Sequence, residues 1–240
     1  MSHILQKPAL PADNNSGMDE KSSSRGPLRP FRPLVAALLA AALLAAGGCC
    51  FVAAPPDTTG QEAARPQAAS ESLAYRLDEA NDNIGYLEQR IHELINVKRT
   101  ERGLQPLQWD ERLAEIARYH SRDMAERNYF EHHSPEGEDF SDRYAKFGYD
   151  ASNRVGDVVY KGGENLFLNN LYESYTYDKE TGEIYEYQFS TLDEIAESTV
   201  EGWMLSEGHR ENMLMPHFRL EGIGVVITAE GKIYITENLA

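Results

Sequence analysis

The C-terminal end constrains the fold most. GIGVVITA (residues 222–229) and KIYITEN (residues 232–238) are two β-prone runs on either side of a Glu230-Gly231 turn. A lone hairpin is marginal in water, so this apolar pair demands cover from other elements. Helical patterns upstream supply it. Leu87, Ile91, Leu94, Ile95 and Lys98 recur at helical spacing, and Gly103 and Pro106 end that run. Asp110 is placed to cap a second helix, with Leu113, Ile116, Ala117, His120 and Met124 on one face and Asn128 as its stop. Phe140, Tyr144 and Phe147 mark a short third helix ended by Gly148. Val155 to Tyr160 reads as a short strand leading to GGEN, and residues 171–189 as a hairpin, aromatic on both sides of KETG. Thr191 and Glu194 form a T-x-x-E capping box for a helix that buries Ile195, Ala196, Val200 and Trp203. This order of elements predicts an α+β fold, with helices packed on an antiparallel sheet.

No disulfide framework holds that fold. The only cysteines, Cys49 and Cys50, are adjacent and precede it. They close an export-type segment: Lys21, Arg25, Arg29 and Arg32, then LVAALLAAALLAA and GGCC. AAGGC resembles a lipobox that would place lipid on Cys49, without Leu at the usual third position before it. Alternatively, the run Leu34 to Ala54 is 21 residues long, enough to cross a bilayer once. Met18 would give a signal of more ordinary length. The expected organisation is a signal peptide or membrane anchor over 1–54, a flexible linker over 55–70 rich in Pro, Ala and Gln, and one domain over 71–240. The expected location is extracytoplasmic, either membrane-anchored or secreted.

The chain carries a formal charge of −16, and −18 once residues 1–49 are removed. Phosphate repels such a surface, so nucleic acid is not expected as a partner.

The folded region has no cysteine nucleophile, no G-x-S-x-G and no phosphate-binding loop. HELIN, at His92, lacks the second His of a zinc-protease helix. His92 and His120 lie on helix faces and read as structural, and His217 has no evident partner. Three stretches remain: YFEHHSPEG (129–137), GGENLF (162–167) and SEGHRENML (206–214). Each sets a His or Glu beside a Gly or Pro. Imidazole and carboxylate brought together can bind a divalent metal. The same groups can equally cap helices in three separate loops.

The run WDERLAEIARYHSRDMAERNYFEHHSPEG, then GGENLF, VEGWMLSEGHRENML, LEGIGVVIT and IYITENL, resembles the CAP superfamily, above all its prokaryotic branch. These are the SCP domains of cysteine-rich secretory proteins, antigen 5 and plant pathogenesis-related proteins. The resemblance spans roughly Leu87 to Leu239. It implies a three-layer α-β-α sandwich with a small antiparallel sheet. It also implies a central cleft lined by His132, Glu164 and His209, with His133 in a variable place. The second glutamate of animal and plant members is missing after Trp203; Glu207 is the nearest candidate. Residues 169–190 look like an insertion beside the cleft. Gly208 would turn the chain so that His209 faces the cleft, with Arg210 pointing away to a carboxylate.

Family membership does not by itself hand over an activity. The first expectation is a non-enzymatic module that binds a lipid, another small ligand or a cell-envelope component. Its metal candidates are His132, His209 and Glu164, for a weakly bound divalent ion such as zinc. A structural role in the envelope comes second. The remaining alternative is a metal-dependent hydrolase with Glu164 as general base. No catalytic residue is assigned.

Overall fold

The computed structural model describes residues 2–6 and 59–240, so the signal peptide or membrane anchor expected over 1–54 lies, residues 2–6 apart, outside the described residues. Among the described residues, no helix is long and apolar enough to cross a membrane. In chain order the elements are β1 (Ser2–Gln6), α1 (Thr59–Asp82), α2 (Ile84–Thr100), β2 (Gln108–Trp109), α3 (Glu111–Arg127), α4 (Phe140–Lys146), β3 (Asn153–Val155), β4 (Val158–Tyr160), β5 (Gly163–Asn170), β6 (Tyr172–Asp178), β7 (Ile184–Phe189), α5 (Leu192–Leu205), α6 (Glu207–Met213), β8 (Leu220–Ile227) and β9 (Lys232–Leu239).

The central sheet has the order β2-β8-β9-β5. The closing pair β8 and β9 is antiparallel, with Val225 opposite Ile235. β5 joins β9 antiparallel, Glu164 facing Asn238 across the ladder. The two-residue β2 adds a parallel edge to β8, which departs from the wholly antiparallel sheet expected.

Two helical layers cover this sheet. On one face, Ile223, Val225, Ile233 and Ile235 pack with Leu87, Ile91 and Ile95 of α2 and with Ile195, Val200 and Trp203 of α5. The Trp203 indole N–H donates to the Leu166 carbonyl at 2.9 Å, which pins α5 to β5. On the other face lies α3, whose Leu113 and Ile116 meet Tyr144 of α4. Its backbone presses directly on β8. A Cβ built on Gly222 would stand 2.0 Å from Ala114 N, and one on Gly224 would stand 2.1 Å from Arg118 N. Glycine here is a packing requirement, since it alone leaves room for the helix. The result is the α-β-α layering.

The helix ends follow local chemistry. The Asp110 carboxylate accepts from Arg112 N at 2.9 Å and Leu113 N at 3.0 Å, filling two of the donors that a helix start leaves open. Asn128 ends α3 in the left-handed region, with φ 52°. Thr191 and Glu194 make the full capping box of α5. Replacing Asp110 by Ala should cost about 1–2 kcal/mol. It would be read as a lower denaturant midpoint at unchanged slope.

Two further expectations differ from the structure. Composition reads 55–70 as a flexible linker, yet α1 begins at Thr59 and carries Pro66 inside it. The stretch is poor in large apolars but rich in Ala and Gln, which are strong helix formers. Ala69 is buried, and Arg76 of α1 reaches the Ser190 carbonyl at 2.9 Å. Residues 155–160 form two strands rather than one, with β3 and β4 turning at Gly156. Residues 171–189 do form a hairpin, β6 and β7, in a separate sheet of order β1-β6-β7. Its Phe189 ring lies under the Arg76 guanidinium of α1 at 5.6 Å, and Tyr172 packs on the main core.

Candidate functional site

The site lies at the start of β5, an edge strand of the central sheet, where groups from both helical layers meet. Glu164 is its second residue and is buried. Its Oε1 lies 2.9 Å from His132 Nδ1, and its Oε2 accepts from Arg143 Nη2 at 2.7 Å. Burial opposes ionisation of this carboxyl. The His132 hydrogen bond and the Arg143 charge outweigh it and hold Glu164 below the usual carboxylate range.

Arg143 is the group that sequence reasoning missed. It lies on α4, completely buried. The Asp139–Asp142 capping box sets the start of that helix. Besides Glu164, its guanidinium donates to the Glu138 carbonyl at 2.9 Å and the His132 carbonyl at 3.1 Å. One cation thus fixes both the carboxylate and the loop that presents His132. The loop is tied again at Ser134, whose amide donates to the Glu138 carbonyl at 3.0 Å and whose carbonyl accepts from Gly137 N at 2.8 Å. The His132 side chain keeps 46% exposure, while that of Glu164 keeps 1%. His133 is exposed.

His120, on α3, closes the back of the site. Its Nε2 stands 3.1 Å from the Glu131 carbonyl, so that nitrogen carries the proton and donates. Burial drives its pKa down to about 4. The ring is neutral at pH 7, and its 4.0 Å approach to Glu164 Oε1 is not an ion pair.

His209 arrives from the opposite layer. Its ring centroid is 6.5 Å from that of His132, at 46° between planes. Residues 207–213 are a short helix rather than a turn, and Gly208 is not among the residues with positive φ. Among the described residues, Arg210 meets no carboxylate either. It donates to the Met204 carbonyl at 2.9 Å and ties α6 to the end of α5. Two asparagines hold α6 on β5. Asn165 Nδ2 donates to the His209 carbonyl at 3.0 Å, and Asn212 Nδ2 donates to Asn165 Oδ1 at 2.9 Å and to the Glu164 carbonyl at 3.2 Å. Glu207 is exposed at the start of α6 and, among the described residues, makes no hydrogen bond to this cluster. His217, expected to lack a partner, meets the Tyr160 ring at a tilt, with centroids 4.9 Å apart and 40° between planes.

His132, Glu164 and His209 therefore stand together, but not as a ready metal site. Both Glu164 oxygens are engaged. Two imidazoles on one tetrahedral zinc would bring their ring centroids to about 5 Å, closer than these rings stand. Among the described residues, no group of three or more His, Cys, Asp or Glu is placed to hold a metal ion. As placed, the cluster is a hydrogen-bonded ion pair with one imidazole half in solvent.

The family described as "CAP: Cysteine-rich secretory protein family" matches residues 92–239. The uncharacterized protein YkwD of Bacillus subtilis (strain 168) is 32% identical over 175 residues, covering 70% of this chain and 56% of its own length. The uncharacterized membrane protein YlbC of the same organism is 29% identical over 178 residues, covering 74% of this chain and 39% of its own. The chain thus spans about half or less of the length of the curated relatives it matches. A solved extracellular protein containing a SCP domain, from Bacillus anthracis str. Ames, is similar at 28% identity, with a TM-score of 0.44 over 65% of this chain and 40% of its own.

Proposed function

Because this chain belongs to the cysteine-rich secretory protein (CAP) family, we propose that it is an extracytoplasmic, membrane-anchored binding module whose cleft at His132, Glu164 and His209 takes a lipid, another small ligand or a cell-envelope component. One observation carries this reading over the hydrolase alternative. A general base works best with a pKa near the working pH and a free lone pair. Glu164 has the opposite character: its pKa is depressed, and both oxygens are already held, by His132 and Arg143. It is built to stay charged and fixed, orienting the His132 ring toward solvent. The basic and apolar segment ahead of the domain supports export and anchoring. In this reading a divalent ion such as zinc is a weak guest of the two imidazoles, not a resident cofactor.

The test pairs two measurements on the protein. In the first, zinc or phosphatidylglycerol vesicles are added and the ring resonances of His132 and His209 are followed. Perturbation of both rings by at least one probe, lost in His132→Ala, is expected. Zinc binding should weaken on acidification, because ligation needs neutral imidazole. In the second, ester and amide substrates are screened for turnover. Activity that vanishes in Glu164→Gln would replace the binding reading with the hydrolase one.

A further inference from the structure

A second polar cluster lies on the α2 face of the sheet, outside the cleft. Glu221 of β8 and Glu237 of β9 are both completely buried. Strand alternation puts them in phase with Ile223, Val225, Ile233 and Ile235. Each carboxyl has one oxygen with an outside partner. His92 Nδ1 of α2 contacts Glu221 Oε2, and Asn165 Nδ2 donates to Glu237 Oε2 at 2.6 Å. The other oxygen of each, Oε1, is buried and meets no donor among the described residues. Ile223 stands opposite Glu237 and Glu221 opposite Leu239, so the two glutamates are diagonal neighbours on one face of the β8–β9 ladder, a spacing that lets long side chains meet and their carboxyls hydrogen-bond. Two carboxylates cannot make that bond, because both would only accept. A proton on one of them makes it.

The surroundings do not replace that proton with a cation. Arg99 of α2 is the nearest full positive charge. Four of its five N–H donors go to the carbonyls of Gln105, Met213, Met215 and Phe218, and among the described residues none goes to either carboxyl, so it lends field but no hydrogen bond. Arg219, ahead of β8, acts on Arg99, and Glu93 of α2 acts on His92. Burial keeps His92 below the usual histidine range, so it faces Glu221 as a neutral ring at pH 7. Burial raises both carboxyls, Glu221 to about 7 and Glu237 well above the ordinary 4.5.

Asn165 joins this pair to the cleft. The same Nδ2 that serves Glu237 also holds the His209 carbonyl. We propose that Glu221 and Glu237 share one proton at neutral pH, and that losing it loosens the grip of Asn165 on α6 and so the placement of His209. The pair is then a pH-sensitive device built into the sheet. Its effect on the cleft rests on the binding reading above; the shared proton does not.

The sign follows from linkage. Unfolded, both carboxyls ionise near the ordinary glutamate value, whereas the folded pair keeps its proton to neutral pH and beyond. The folded state binds the extra proton, so stability falls as pH rises through that window. Thermal melts from about pH 5 to about pH 9 should show the wild-type Tm falling by roughly 5 °C or more. Glu237→Gln supplies a permanent donor and should flatten that dependence. An unchanged pH profile in Glu237→Gln would overturn the shared proton. If that variant does not fold, Glu221→Gln takes its place, and the wild-type glutamate 13Cδ resonances report the proton directly. Two carboxyls that both ionise by about pH 5 would overturn it as well. Amide exchange in α6, corrected for intrinsic rate, reads the coupling without any ligand. Protection should fall at high pH in the wild type and hold in Glu237→Gln. Equal protection in both would overturn the coupling.

Discussion

Gly224→Ala is expected to cost more than about 3 kcal/mol and to leave much of the protein unfolded at 37 °C. The added methyl would stand 2.1 Å from Arg118 N and 2.3 Å from Ala117 C, both backbone atoms of α3. A side chain could swing aside; a helix backbone can move only as a body. Lifting α3 would open the contacts of Leu113 and Ile116 with Tyr144, and the Ser121 hydroxyl would leave the Gly224 carbonyl that it meets at 2.9 Å. Gly222→Ala should behave alike, since its Cβ would approach Ala114 N at 2.0 Å. Ala at Gly182, a turn glycine with no neighbour within 4 Å, serves as the control. Its loss should be far smaller and come only from its positive φ. Chemical denaturation gives the comparison.

Arg143→Leu is expected to destabilise by about 3–5 kcal/mol, the usual result of leaving a buried charge without its partner. Glu164 would remain in the interior as a carboxylate hydrogen-bonded by the His132 side chain but without its cation, and the His132 and Glu138 carbonyls would each lose a donor. Pairing Arg143→Leu with Glu164→Gln should recover a good part of the loss. The double-mutant cycle then reads the coupling itself rather than the damage. Acid acts on the same contact. Because the Glu164 pKa is lowered by folding, its contribution is present above the ordinary glutamate range and is lost as pH falls through the folded value.

Much of the architecture was legible because its signals are local. Asp110, Asn128, Thr191 and Glu194 cap the helices they were expected to cap, since a capping side chain answers to backbone groups within three residues. The motifs that carry the family resemblance also bring His132, Glu164 and His209 to one place. Arg143 was not legible in that way. It reads as one more surface charge in SDRYAKFGYD, and its partner Glu164 is 21 residues away on another element. A weak signal existed: Arg143 falls in phase with Phe140, Tyr144 and Phe147, on the apolar side of its helix. Glu221 and Glu237 carry the strand version of the same signal, a carboxylate in step with isoleucines that must be buried. Gly208 misled in the other direction. A glycine before a histidine suggests a turn, but Glu207 to Met213 closes a helix there because Asn165, Asn212 and the Arg210–Met204 contact dock that segment on its neighbours.

The central claim is that Glu164 is a fixed anion which organises the cleft rather than a base which does chemistry in it. The direct measurement is the 13Cδ resonance of Glu164 in glutamate-labelled protein, followed through an acid titration and assigned by its loss in Glu164→Gln. The account predicts a carboxylate shift from neutral pH down past the ordinary glutamate range, with protonation only as the fold itself fails. A reversible titration near neutrality in folded protein would contradict it and mark Glu164 as a proton acceptor.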